Sequence, residues 1–222
     1  PVRSQNEVIG VVALQLPTGP INAIVQNREG MGETGESYLV GRHEGTTAFR
    51  SDMKTMGDGQ FVIGYNISTP YIEAALSGKS AQEVYTDSAG NLVMVAYDPL
   101  KLKGLSWACV SKINLEEAVT PTVEGAENDF YTGYIEKYGY YDLFLINPDG
   151  YCFYTVTKEA DYHTNLVDGK YANSNLGELV RKVLSTRQYH MADFAPYAPS
   201  NNEPCAFVAQ PLMHGGKVEI MV

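Results

Sequence analysis

The chain has 222 residues, 44% apolar and only 19% charged, a composition that suits one large globular domain or two small ones. A formal net charge of −10 and a pI near 4.8 exclude the basic stripe that a nucleic-acid backbone requires. Three cysteines (Cys109, Cys152, Cys205) set among apolar neighbours, with no C-x-x-C spacing, exclude a disulfide framework, and the scattered His43, His163, His190 and His214 suggest no zinc site.

"EVIGVVALQLP", Glu7 to Pro17, is rich in β-branched residues and stops at proline, so it reads as a strand. "GPINAIVQNREG" spaces Ile21, Ile24 and Val25 helically behind Pro20. The Gly-rich "GMGETG" lacks a P-loop lysine and reads as a loop closing over a first pocket. "GESYLVG" and "TTAFRSD" are short strands around the turn "GRHEG". "STPYIEAALSG" opens with a capping hydroxyl and proline and ends in glycine, a helix. "AQEVYTD", "NLVMVAY" and "LSWACVSKI" are strands, the first two joined by "DSAGN".

"NLEEAVTPTVEGAENDFYTGYIEKYG" reads as a helical connector broken near Pro121 and Gly125, with Glu116 and Glu117 on a solvated face. "YDLFLIN" and "GYCFYTVTK" follow as strands around "PDG". "SNLGELVRKVLST" is a capped helix with a stripe at Leu176, Leu179, Val180, Val183 and Leu184. "QYHMADFAPY", "PCAFVAQPL" and "GGKVEIMV" complete the chain as strands.

The order helix–β–β–helix–β–β–β thus occurs twice. "SYLVGRHEGTTAFRSD" matches "LFLINPDGYCFYTVTK" in pattern, "EVYTD" matches "HMADF", and "VAYDPLK" matches "VAQPLMH". Residues 1–12, "PVRSQNEVIGVV", also align without gaps to residues 211–222, "PLMHGGKVEIMV". Two short Pro–loop–Val strands can look alike by chance; alternatively, the chain spans about one period of a longer arrangement. The expected fold class is α+β: two PAS-like modules, each a mainly antiparallel five- to six-stranded sheet flanked by helices. Residues 1–17 supply a terminal strand, 18–113 the first module, 114–139 the connector and 140–222 the second module.

"GVVALQLPTGPINAIVQNREGMGETGESYLVG", followed by "FRSD", closely resembles the membrane-proximal half of double Cache sensor domains. "YYDLFLINPDGYCFYTVTKEADYHTNLVDGKYANSNLGELVRKV", with "FAPYAPS" and "AFVAQP", resembles the membrane-distal half of the same group. The order of the halves is reversed here relative to the usual family order. The resemblance implies an extracytoplasmic, periplasmic sensing domain of a bacterial chemotaxis receptor or sensor histidine kinase, without catalysis or cofactor. Its partner would be a small molecule, an amino acid or organic acid, with a homodimer in the parent receptor. The membrane would be met only through segments outside these residues, since no run here approaches the roughly 20 apolar residues of a membrane helix.

A PAS-like pocket lies between a sheet face and its covering loop, mostly apolar with a few converging polar groups. Strand alternation places Cys152, Tyr154, Val156 and Lys158 on one face. Tyr154 would be wall and hydroxyl donor and Lys158 a point charge for an anionic or zwitterionic ligand, unless Lys158 simply ends in water. Asp161 and Asn165 are candidates for a ligand amine or hydroxyl, or else fix turns. Asp193 interrupts a strand-like run, where aspartate is depleted, which marks it as a ligand candidate. Tyr197 and Phe207 are wall or core. A second, thinner set is Tyr38, Arg50, Asp87 and Tyr97; Arg50 could grip a carboxylate or pair with Asp52 or Asp87. The rival reading is a protein-binding module of a receptor.

Overall fold

Antiparallel strands and short helices build both units into which the chain divides, Pro1–Asn114 and Leu115–Val222. The structure is a computed structural model and describes residues 1–4, 7–56, 61–120 and 128–222. The break expected near Pro121 and Gly125 lies outside the described residues.

In the first unit, β1 (Val2–Ser4) and β2 (Glu7–Gly10) form a hairpin, and α1 (Gly19–Val25) follows. β3 (Glu36–His43), β4 (Thr46–Phe49), α2 (Pro70–Leu76), β5 (Ala81–Thr86), β6 (Leu92–Leu100) and β7 (Ser106–Asn114) complete it. The five longer strands form one antiparallel sheet in the order β4-β3-β7-β6-β5. The β3–β4 turn places both Glu44 and Gly45 at positive φ, the geometry whose twist matches a two-residue hairpin. Period-two alternation sends Tyr38 and Val40, Val93, Val95 and Tyr97, and Ala108 and Val110 to one face. There α2 covers them with Ile72 and Ala75, its start capped by the Thr69 hydroxyl, which accepts from Ile72 N. On the other face the Trp107 indole lies over Gly41, its cross-strand partner; a Cβ at Gly41 would stand 2.6 Å from the ring.

The second unit holds α3 (Leu115–Val119), α4 (Phe130–Tyr138), β8 (Phe144–Ile146), β9 (Cys152–Thr155) and α5 (Asn175–Thr186). β10 (His190–Tyr197), β11 (Glu203–Ala209), β12 (Pro211–His214) and β13 (Lys217–Met221) follow. The expected single sheet of this half is instead two: β12-β13-β8-β9 and the separate hairpin β10-β11. α5 begins at Ser174, whose hydroxyl accepts from Gly177 N, and buries Leu176, Leu179, Val180 and Val183. Gly177 brings this first turn against the preceding chain: a Cβ there would meet Ala172 O at 2.5 Å. Gly177→Ala is therefore expected to lower stability by about 2 kcal/mol, overpacking outweighing the gain in helix propensity, read as a drop in the urea midpoint.

The β8–β9 ladder carries a bulge. Leu145 faces Tyr154, but Ile146 faces Cys152, so Phe153 is extra. Cys152 consequently packs with Leu176 and Val180, while Tyr154 packs on Tyr131 of α4 with ring centroids 5.4 Å apart. The expected shared face of Cys152 and Tyr154 is corrected by that one inserted residue.

The alignment of residues 1–12 with 211–222 has a structural counterpart. In the first hairpin Val2 faces Gly10, Arg3 faces Val8 and Ser4 faces Glu7, with a bulge between Val2 and Arg3. In the last, Leu212 faces Ile220, Met213 faces Val218 and His214 faces Lys217, with a bulge between Leu212 and Met213. Shifted by 210 residues, every one of these pairs and the bulge coincide. The difference is environment: Met221 is fully buried beside Ile146 of β8, whereas β1 and β2 lie exposed.

Candidate functional site

A cavity of about 500 Å³ opens in the second unit. Its aromatic walls come from α4 and the residues after it (Tyr134, Tyr140, Tyr141), from β8 (Phe144) and from β10 and β11 (Phe194, Tyr197, Phe207). The Tyr197 and Phe207 rings meet edge to face at 4.9 Å, and Phe207 meets Phe144 in the same way at 6.1 Å. The charged residues lining the cavity are Asp142, Glu159 and Glu203, all acidic. Glu159 accepts from the Tyr141 hydroxyl at 2.7 Å and the Ser200 hydroxyl at 2.6 Å. Asp142 accepts from the backbone N–H groups of Val156 and Thr157 and from the Thr157 hydroxyl, which pins the exit of β9.

Behind the wall, Asp161 is fully buried. Its Oδ2 accepts from the Tyr197 hydroxyl at 2.5 Å, and its Oδ1 has no hydrogen-bond partner among the described residues. Burial raises its pKa, an effect that the Tyr197 bond offsets only in part. The Tyr197 hydroxyl is itself pushed up, first by burial and then by the bond to Asp161.

Of the residues singled out in the sequence, Tyr197 and Phe207 line this cavity. Tyr154 points elsewhere: its hydroxyl donates to Asp129, the cap of α4, at 2.8 Å. Lys158 stands in a left-handed turn, bonded to Glu116 at 3.0 Å and over the Tyr162 ring. Glu116 thus also corrects the solvated-face expectation, since it accepts from Tyr162 as well and ties α3 to the loop. Asn165 is a turn builder, accepting from Val167 N and Asp168 N and donating to Asp149 O. Asp193 sits in the bulge of β10, where the register jumps between Ala192 and Ala195. Its side chain is exposed and accepts from the next residue's N–H, so the bulge accounts for an aspartate in this strand.

In the first unit the second set is dispersed. Tyr38 and Tyr97 are core residues; the Tyr38 hydroxyl lies 3.4 Å from that of Tyr71, and Tyr97 donates to Glu83. Asp87 holds its hairpin turn by accepting from Ala89 N and Asn91 N. Arg50 donates to Phe49 O, while Asp52 accepts from the Asn22 side-chain amide and from Val62 N and Ile63 N, so these bonds and the Asp87 turn stand where an Arg50 ion pair with Asp52 or Asp87 was expected. "GMGETG" wraps the Arg28 guanidinium, which donates to the carbonyls of Gly32, Glu33 and Gly35.

The sequence reading missed Tyr134, Tyr140, Tyr141, Glu159 and Ser200. A signal was present: five tyrosines fall between Tyr131 and Tyr141, more than one amphipathic helix face needs.

No family model matches the sequence, and no curated protein does. Among solved structures, the sensor domain of the Vibrio cholerae histidine kinase DctB aligns with a TM-score of 0.52 at 12% identity, covering 92% of this chain and 76% of that one. The sensory domain of the Campylobacter jejuni chemoreceptor Tlp3 (CcmL) gives 0.50 at 12%, covering 92% and 72%. The ligand-binding domain of the same chemoreceptor in complex with 4-methylisoleucine gives 0.50 at 11%, covering 92% and 69%. The chain has the mixed α+β fold of these Cache-type sensor domains.

Proposed function

We propose that the chain is an extracytoplasmic small-molecule sensing domain of a transmembrane signal-transduction receptor, a chemoreceptor or sensor histidine kinase. The first unit is the membrane-proximal type of Cache module and the second the membrane-distal type. The observation that carries this reading, beside the shared fold, is the aromatic cavity of the second unit. Its bound class is an amine or amino acid rather than a dicarboxylate: among the described residues the charged lining is Asp142, Glu159 and Glu203, which an ammonium group offsets and a ligand carrying carboxylates alone does not. An ammonium group suits Glu159 and the faces of Tyr197 and Phe207. That class includes the 4-methylisoleucine held by the Tlp3 domain. Because Tyr134 and Ile135 of α4 line the cavity, a ligand that fits one position of this helix better than another shifts its equilibrium.

Thermal shift against amino acids, primary amines and dicarboxylates tests this. A binder at 100-fold its Kd adds about 2.7 kcal/mol of stability. Amines or amino acids are expected to raise Tm, dicarboxylates to leave it unchanged, and Phe207→Ala to abolish the shift while Asp193→Ala preserves it. Silence across the whole amine and amino-acid set would sink the proposal.

A further inference from the structure

Residues 158–163 follow β9, and their side chains divide between two sets of partners. Glu159 accepts from the Tyr141 and Ser200 hydroxyls and Asp161 from that of Tyr197, and all three donors line the cavity. Lys158, Tyr162 and His163 converge instead on a single carboxylate, Glu116 of α3. Lys158 Nζ stands 3.0 Å from its Oε1, the Tyr162 hydroxyl donates to its Oε2 at 2.5 Å, and His163 Nε2 lies 3.7 Å from that Oε2. The backbone is committed to this division. Lys158 and His163, which bracket the segment, are both left-handed, with φ of 50° and 59°. That conformation is costly for a residue with a Cβ and persists where its surroundings hold it. The side chains of both these residues turn to Glu116.

α3 has the character of a responding element. It holds five residues, well below the length of about 12 at which an isolated helix is even marginal, so it exists through its contacts. Those include buried Leu115, packing on β9 and the bonds to Glu116. Its turn is closed by Thr120, whose N–H donates to Glu116 O at 3.1 Å and whose hydroxyl donates to the same carbonyl. The residue whose carboxylate the loop grips is thus the residue whose carbonyl closes the helix. α3 begins directly after Asn114, the last residue of β7, and so lies on the chain that joins the two units.

We propose that Glu116 is a positioning residue that couples α3 to the cavity through residues 158–163. A change at Glu159 or Asp161 moves Lys158 and Tyr162 with it, and α3 tightens or frays as the bonds to Glu116 are kept or lost. The two states of this short helix are the equilibrium that the cavity biases. The coupling is reciprocal, so Glu116 also holds Glu159 where an ammonium group would meet it. This names the regulation of the sensing site, an output distinct from α4, and rests on that reading for its meaning.

Amide hydrogen exchange, read residue by residue on the full chain without ligand, tests this. Ser200→Ala and Tyr141→Phe each remove one donor to Glu159, and among the described residues neither side chain bonds to α3. Tyr141 is exposed, so its variant keeps the fold even if Ser200→Ala does not. Each is expected to speed exchange at Thr120 N about fivefold, the factor that one hydrogen bond of ordinary net worth supplies. Glu178 N and Arg187 N of α5 should keep their wild-type rates, since they open with the unit as a whole. In a Glu116→Ala chain Thr120 N should exchange fast already, and neither cavity variant should add to it. The proposal is overturned if Thr120 N ignores both variants, if the α5 amides accelerate in step, or if the response survives Glu116→Ala. Because no ligand enters, a failed thermal shift would count against sensing and leave this result standing.

Discussion

Lys112→Met is expected to destabilise the first unit by about 3 kcal/mol, the range for leaving a buried charge without its partner. Glu36 is only 1% exposed, and its carboxylate accepts from Thr55 N at 3.1 Å, the Thr55 hydroxyl at 2.6 Å and Lys112 Nζ at 3.0 Å. Lys112 lies directly across β3–β7 from it, so no rearrangement is needed to bring the charges together. Methionine keeps the aliphatic stem and removes the ammonium, isolating the electrostatic part. Adding Glu36→Gln should recover much of the loss, because a neutral amide no longer demands a cation. Urea unfolding followed by circular dichroism measures both. A loss no larger than that of an exposed ion pair, about 0.5 kcal/mol, would show that Thr55 alone supports the carboxylate.

Tyr197→Phe is expected to cost a similar amount in the second unit, about 3 kcal/mol at neutral pH, and less in acid. The hydroxyl donates to the buried Asp161 carboxylate, whose other oxygen has no partner among the described residues. Asp161 has a raised pKa in the folded chain, caused first by burial. The folded state therefore holds this proton to higher pH than the unfolded state, where aspartate titrates near 3.9. Its contribution to stability is full below that value and is lost as pH rises through the folded pKa. Removing the Tyr197 donor raises the folded pKa further and widens that loss. The Tm gap between wild type and Tyr197→Phe should grow from about pH 4, near the ordinary aspartate pKa, toward neutrality. Asp161→Asn, which carries no proton to lose, should flatten the dependence. A gap independent of pH would mean that the hydroxyl acts only by filling space.

Local signals in the sequence located most elements. "PDG" marks the β8–β9 turn, where Gly150 N donates to Asn147 O and Asp149 accepts from Tyr151 N. Ser174 and Thr69 announce the helices they cap. These are short-range effects, written in neighbouring residues. The bulge at Phe153 has no such mark, and it alone turned Tyr154 away from Cys152. Asp161 reads in sequence as a ligand or turn residue and Glu36 carries no mark of its own, because their partners Tyr197 and Thr55 lie 36 and 19 residues away. Of the candidate site, Tyr197 and Phe207 were legible as apolar walls. The acidic lining was not, since Glu159 is placed by Ser200, 41 residues on. The run from Glu7 to Pro17 reads as a strand and is one over Glu7–Gly10, since propensity marks extended chain without supplying the neighbour it must pair with.

The close approach of Trp107 to Gly41 has a practical consequence. Trp107 is the one tryptophan in the sequence, and it lies in β7 of the first unit, while the tyrosine-rich stretch from Tyr131 to Tyr141 belongs to the second. Emission excited at the red edge of indole absorption therefore follows the melting of the first unit alone, and far-ultraviolet dichroism follows both. Two transitions that fail to coincide would give each unit its own stability from one unlabelled sample, which a two-unit chain requires before any single unfolding free energy is assigned to it.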